Sequence, residues 1–190
     1  WDFQNSGTDK DLFSIFMVNE NTGYIAGQAG TILKTTNSGV NWVTQSCNTS
    51  NNLISVYFPG DNTGWIAGSF GTVLKTTDGG GNWETISGFG SSGLYCVFFV
   101  TPNDGWITGD LGRIYRTTDG GANWVPGMGL ELNSIYSLYF LDNITGFASG
   151  YEGFVYKTTD GGANWQVKNG ITPQITYVTL FVNSAGNGFA

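Results

Sequence analysis

Apolar residues fall along this chain in short bursts that never hold a helical period. Four nearly continuous apolar runs, at 12–18, 53–58, 94–100 and 135–141, have the length of single strands. Such runs predict strands buried on both faces. Clusters of Asn, Asp and Gly follow, at 19–23 and 60–64 in the first two copies, and predict tight turns. A short segment bounded by glycines comes next, Gly64-Trp65-Ile66-Ala67-Gly68 in the second copy, then a G-x-x-G turn and a third strand at 72–77. A fourth strand at 83–87 is more polar, which suits an outer edge. The pattern predicts antiparallel strands joined by hairpins in an all-β chain.

The pattern repeats. Trp42, Trp83, Trp124 and Trp165 stand 41 residues apart, as do Asn37, Asp78, Asp119 and Asp160, then Tyr24, Trp65, Trp106 and Phe147, and the glycines Gly30, Gly71, Gly112 and Gly153. Units therefore run 12–52, 53–93, 94–134 and 135–175. Four antiparallel strands in about 40–45 residues predict a β-propeller blade, its first strand innermost and its fourth outermost. A β-solenoid is the competing fold. Residues 1–11 read as the outer strand of a preceding blade, and 176–190 as the first two strands of a following one. The expectation is an arc of a larger propeller; closure into five blades through 176–190 and Trp1 is the alternative, though that blade would lack its third strand.

Between the third and fourth strands stands Thr76-Thr77-Asp78-Gly79-Gly80-Gly81-Asn82-Trp83, repeated at 117–124 and 158–165 and weakened at Thr35-Thr36-Asn37-Ser38-Gly39-Val40-Asn41-Trp42. A short Asp or Asn side chain can accept bonds from the amides of its own turn, glycine supplies positive φ, and the Trp ring packs inward. Catalytic or metal-binding aspartates are the sharper alternative. Equivalent positions on separate blades cannot converge on one substrate, so Asn37, Trp42, Asp78, Trp83, Asp119, Trp124, Asp160 and Trp165 are read as structural.

This spacing resembles the Asp box of sialidases, sortilin-type receptors and xyloglucan-degrading glycosidases, all of them propellers. The fuller run of residues 64–83 resembles the repeats of the photosystem II stability and assembly factor family. Similar repeats occur in secreted bacterial proteins that end in type IX secretion sorting domains. The resemblance implies a propeller with a non-catalytic, partner-binding role. It also implies an Arg-rich patch facing a photosystem partner, which two arginines do not reproduce.

Charge narrows the function. Only 11% of residues are charged and the net charge is −7, so wrapping nucleic acid or an anionic membrane is not expected. With no histidine, imidazole chemistry is absent. No apolar run approaches the roughly 20 residues of a membrane span. No cofactor or metal is expected. Eighteen asparagines and few lysines favour an extracellular or cell-surface bacterial location, with periplasm or thylakoid lumen as the alternative.

A sialidase-like site would need three arginines; this chain has Arg113 and Arg116. A glycosidase needs two carboxylates. Asp110 and Glu152 are the candidates, in the G-x-x-G turns whose variable pairs read Gln28-Ala29, Ser69-Phe70, Asp110-Leu111 and Tyr151-Glu152. Variation inside a constant frame is where binding chemistry is grafted. The expected contact surface is therefore Gln28, Ser69, Phe70, Phe89, Asp110, Leu111, Tyr151 and Glu152, facing a protein partner or a glycan, on the end shared by these turns and the interblade connections at 47–52, 88–93, 127–133 and 168–175. Lys34, Lys75, Arg116 and Lys157 form a further column, read as an outward charge row. Cys47 and Cys96 occupy different repeat slots and are expected to be free and buried. The sequons at 48–50 and 143–145 are expected by chance in so Asn-rich a chain.

Overall fold

A computed structural model describes residues 4–127 and 133–167, and the backbone of two further strands, Phe181–Val182 and Gly188–Phe189, which pair antiparallel. Trp1 lies outside the described residues, as does most of the connections expected at 127–133 and 168–175. The chain divides into two compact units, Trp1–Gly93 and Leu94–Ala190.

The first unit holds two four-stranded antiparallel meanders. One is β1 (Leu12–Met17), β2 (Gly23–Gly27), β3 (Ile32–Thr35) and β4 (Val43–Gln45); the other is β5 (Leu53–Tyr57), β6 (Gly64–Gly68), β7 (Val73–Thr76) and β8 (Glu84–Thr85). The second unit repeats this with β9 (Leu94–Phe99), β10 (Gly105–Gly109), β11 (Ile114–Thr117) and β12 (Val125–Pro126), then β13 (Ile135–Phe140), β14 (Gly146–Gly150), β15 (Val155–Thr158) and β16 (Gln166–Val167). In every sheet the strands lie in chain order, as the hairpin pattern requires. The box Trp precedes the fourth strand rather than opening it. Those outer strands are only two or three residues long, and one carries Pro126, which blunts the edge against pairing with another chain.

The expectation of burial on both faces belongs to the second strand, not the first. β2, β6 and β10 are buried at every residue, whereas β5 and β9 mix buried and half-buried positions. The second strand is flanked on both sides within its sheet and carries small residues at Ala26 and Ala67 that let neighbours close over it. β1 departs further. Leu12, Ile15 and Met17 are 38%, 60% and 42% exposed, while their repeat equivalents Leu53, Val56 and Phe58 are 0%, 4% and 4% exposed. The difference lies in what covers them, since Tyr24 and Ala26 of the first sheet pack into one cluster with Leu53, Val56 and Phe58.

Aromatic residues join the two sheets of each unit. Tyr24 stacks on Phe58 at 3.9 Å and 14°, and Phe58 meets the edge of Trp83 at 6.0 Å and 90°. In the second unit Trp106 stacks on Phe140 at 3.7 Å and 12°, and Phe140 meets Trp165 at 5.9 Å and 80°. The second-strand aromatic also donates a hydrogen bond 55 residues ahead: Tyr24 Oη to Gly79 O at 2.7 Å, and Trp106 Nε1 to Gly161 O at 3.1 Å. In each unit the box turn of the second sheet thus receives a bond from the first.

Candidate functional site

Each sheet has two distinct ends. At one, the box turn binds back to the turn between its own first and second strands: Gly79 N to Asn62 O, Gly120 N to Asn103 O, and Gly161 N to Ile144 O. The box itself closes around a buried threonine. Thr76 Oγ1 donates to Asp78 Oδ1 at 2.8 Å and accepts from Gly80 N at 2.9 Å, while Asp78 Oδ1 accepts from Asn82 N at 2.9 Å and Oδ2 from Asn82 Nδ2 at 2.7 Å. Asp119 and Asp160 repeat this set. Asn37 keeps the bonds to Asn41 N and Thr35 Oγ1, at 2.9 and 3.0 Å. Its second side-chain atom is an amide nitrogen, a donor, so it cannot accept from Asn41 as Oδ2 does in the aspartate copies. Ser38 there adopts φ 59, where the other boxes place glycine. The Trp rings pack inward; Trp83 is buried, whereas Trp42, Trp124 and Trp165 are half-buried.

These bonds depress the box carboxylates. Amide and hydroxyl donors from Asn82 and Thr76 hold Asp78 at about 2, against an ordinary 3.8, and Asp119 and Asp160 are held at about 2 in the same way. A carboxylate whose pKa is lowered on folding stabilises the fold above its unfolded value and loses that contribution as pH falls through its folded value. The thermal midpoint should therefore drop between about pH 4 and about pH 2, and a triple variant with Asp78, Asp119 and Asp160 changed to Asn should show a flatter profile there. Parallel profiles would show that the boxes contribute nothing to acid stability.

The basic column is not a solvated row. Tyr24 pairs with Lys34 across β2 and β3, Trp65 with Lys75, Trp106 with Arg116 and Phe147 with Lys157. Each cation lies 4.7 to 5.5 Å from the centre of its partner's ring. Lys34 Nζ also donates to Gly79 O at 2.7 Å. The column acts as a cation–π fastening.

At the other end, the G-x-x-G turns of the first two sheets dock on both the entry and the exit of their own sheet. Ser69 N donates to Asn52 O at 2.9 Å, and Gly71 N to Ser92 O at 2.7 Å; Gln28 N and Gly30 N bond to Asp11 O and Asn51 O, both at 2.8 Å. In the first unit these turns and the interblade connections therefore share one end, as expected; the later connections lie largely outside the described residues. The glycines are required by contact. A Cβ on Gly68 would lie 2.2 Å from Asn52 O, and one on Gly71 2.0 Å from Gly90 O. The frame leaves the second variable residue at the tip, in left-handed backbone: Ala29 at φ 55, Phe70 at 56, Leu111 at 57 and Glu152 at 58.

Most of the expected contact residues stand at these tips. Phe70 is 71% exposed, Leu111 51% and Tyr151 47%; Gln28 and Glu152 are exposed, and Ser69 and Asp110 are half-buried. Phe89 is a correction. It is 2% exposed and belongs to the core, because the connection that carries it closes over the turn at Gly71 instead of standing away from it. Asp110 is tied down, accepting from Tyr95 Oη at 2.6 Å and Ser134 Oγ at 3.2 Å. Burial and the adjacent Asp110 carboxylate raise the Tyr95 phenol well above its ordinary value, so it stays a donor. Sequence reasoning missed Tyr95, Ser134 and the neighbouring Tyr136, since neither motif nor repeat links them to position 110.

Two cavities of about 450 and 460 Å³ open near the boxes instead, one beside Cys47, Lys75 and Glu84, the other beside Arg116, Val125 and Pro126. The box aspartates that line them, Asp78 and Asp119, are already engaged by their own turns. Both cysteines are free, as expected, but half-buried rather than buried. Cys47 Sγ lies 3.1 Å from Gly30 O, and the apolar surroundings of Cys96 push its thiol up to about 11. Among the described residues no three His, Cys, Asp or Glu side chains cluster as metal ligands would, and no helix is long and apolar enough to cross a membrane.

Four-stranded meanders fastened by Asp boxes, with variable tips on one end, define an Asp-box β-propeller. The chain belongs to the photosynthesis system II assembly factor YCF48 family, whose model matches residues 1–125. Among solved structures it is similar to YCF48 bound to D1 peptide, at 21% identity and a TM-score of 0.76 over 95% of this chain and 59% of that one. YCF48 from Cyanidioschyzon merolae matches at 23% identity and a TM-score of 0.72, over 92% and 61%. An ancestral GH74 enzyme shares the fold at 20% identity and a TM-score of 0.76, over 90% of this chain but 25% of the enzyme. The chain thus spans about three fifths of the YCF48 chains it resembles. No curated protein sequence matches it.

Proposed function

We propose that this chain is a non-catalytic, peptide-binding propeller that holds a segment of a protein partner at the G-x-x-G end, in the manner of an assembly factor. The observation that carries the reading is Phe70, a bulky apolar residue 71% exposed in left-handed backbone. Both features cost free energy, roughly 1–2 kcal/mol for the backbone alone. A tip that is strained, apolar and rigidly mounted is suited to insertion into a partner. Family membership and the peptide held by a YCF48 relative support the reading.

Binding of a fluorescent D1 peptide, followed by anisotropy, tests it. Phe70→Gly relieves the strain, so the melting temperature should hold or rise while affinity falls about tenfold, the loss expected for one aromatic anchor. Unchanged affinity, or no binding by the unaltered chain, overturns the proposal.

The reading includes no hydrolysis. Incubation with xyloglucan oligosaccharides should release no new reducing ends; release that is abolished by Asp110→Asn or Glu152→Gln would establish a glycosidase instead. The Asn-rich, Lys-poor composition further supports work outside the cytoplasm, at a cell surface or in a comparable compartment, which cell fractionation would test.

A further inference from the structure

We propose that Asp110, with the rings of Tyr95 and Tyr136, forms a subsite for a cationic side chain, arginine or lysine, of the bound partner segment. The inference rests on the peptide-binding reading and adds to it the chemistry of one contact. It lies wholly within the second unit.

The geometry begins with the carboxylate. Asp110 opens the G-x-x-G turn after β10, and the hydroxyls of Tyr95 and Ser134 both donate to its Oδ1, fixing the plane of a half-buried anion at the binding end. Beside it, Tyr95 and Tyr136 lie 5.0 Å apart with their rings tilted by 57°. A carboxylate next to partly exposed tyrosine faces is a recognition surface for guanidinium or ammonium groups, which donate charge-assisted hydrogen bonds to the acid and are attracted electrostatically by the rings. Leu111, next to Asp110 in the turn, and Tyr151 are 51% and 47% exposed; Tyr151 N donates to Ser134 O, tying that turn to the residue that holds Asp110.

Repeat comparison shows that the arrangement is particular to this unit. The slot of Tyr95 and Tyr136 holds Phe13 and Ile54 in the first unit, and the slot of Asp110 holds Gln28 and Ser69. Those residues offer neither a carboxylate nor a phenol hydroxyl to orient one. The frame of the turn does not require an acid at this position. Glu152, exposed in the following turn, and a net charge of −7 add a long-range field that favours a cationic segment.

The experiment titrates the 190-residue chain, isotopically labelled, with acetyl-Gly-Leu-Arg-Leu-Gly-amide and with the same peptide carrying citrulline for arginine, following amide shifts by NMR. Citrulline keeps the shape and removes the charge. The arginine peptide should shift the amides of Tyr95, Asp110, Leu111 and Tyr136 and bind about tenfold more tightly than its citrulline counterpart, with the preference shrinking as salt is raised. Asp110→Asn retains an oxygen to accept from Tyr95, so the fold should survive while the preference disappears. Tyr136→Leu, which leaves the Asp110 hydrogen bonds in place, should weaken the arginine peptide about threefold and serves if the Asn variant unfolds. Equal binding of the two peptides, shifts confined to the box turns, or a preference that survives Asp110→Asn overturns the subsite. Equal binding at the named amides would do so while leaving peptide binding itself intact, and the Phe70 experiment judges that broader reading separately.

Discussion

Phe140→Ala should destabilise the chain by about 3–5 kcal/mol, a large share of the roughly 5–15 kcal/mol that holds a typical domain together. The ring is 3% exposed, stacked on Trp106 at 3.7 Å and closed at its edge by Trp165. Beneath it lies Gly146, where an added Cβ would fall 2.5 Å from the ring, so the floor of the site is backbone that cannot rise to fill a void. Removal therefore leaves a cavity and also strips one face from Trp106. Because sheets in a repeat protein are stabilised by their neighbours, the loss should appear as weakened coupling of the sheets in the second unit. Denaturant titration should show a lower midpoint, and Phe58→Ala should behave alike in the first unit. Met17 supplies the control. It occupies the same repeat slot but is 42% exposed, so Met17→Ala should cost under about 1 kcal/mol. Equal losses at positions 17 and 140 would contradict the packing assigned to these sheets.

Gly71→Ala is the second large effect. This glycine has φ +68, which disfavours any side chain by roughly 1–2 kcal/mol, and its Cβ would stand 2.0 Å from Gly90 O. The obstacle is main chain, held by the Gly71 N to Ser92 O bond at 2.7 Å, so relief requires the connection to detach. A loss of at least about 2 kcal/mol is expected, together with weaker peptide binding, because Phe70 would no longer be mounted on a docked turn. Gly60→Ala is the matched control: its Cβ would meet nothing within 4 Å, and its backbone is not left-handed. If both substitutions leave binding unchanged, the turns are not the rigid mounts described above.

What could be read from the sequence was local or periodic. Strand positions followed from apolar runs bounded by glycine, and the box turns from side chains that bond to their own backbone. The Asp78 bonds to Asn82 and Thr76 join residues within four positions of one another. What escaped was set by register or by distance along the chain. The basic column looked solvated because its partners lie across a hairpin, although the clue was present: a cation stands ten residues after an aromatic in every copy, as Lys75 does after Trp65. The bond from Tyr24 to Gly79 spans 55 residues and joins different repeats. Phe89 was misread because an aromatic in a Gly-rich connection looks exposed until the close approach of that connection to Gly71 is seen. Asp110 was legible as a variable turn residue, but its orientation by Tyr95 depends on how the first strand meets the turn.

The central claim is that the partner meets the G-x-x-G end, and site-directed photocrosslinking addresses it most directly. A benzophenone amino acid is placed either at Phe70, on the turn tip, or at Val40, 67% exposed in the box turn of the same unit. Illumination with bound D1 peptide should give an adduct from position 70 and none from position 40. Crosslinking from position 40 alone would put the partner at the box end and contradict the account.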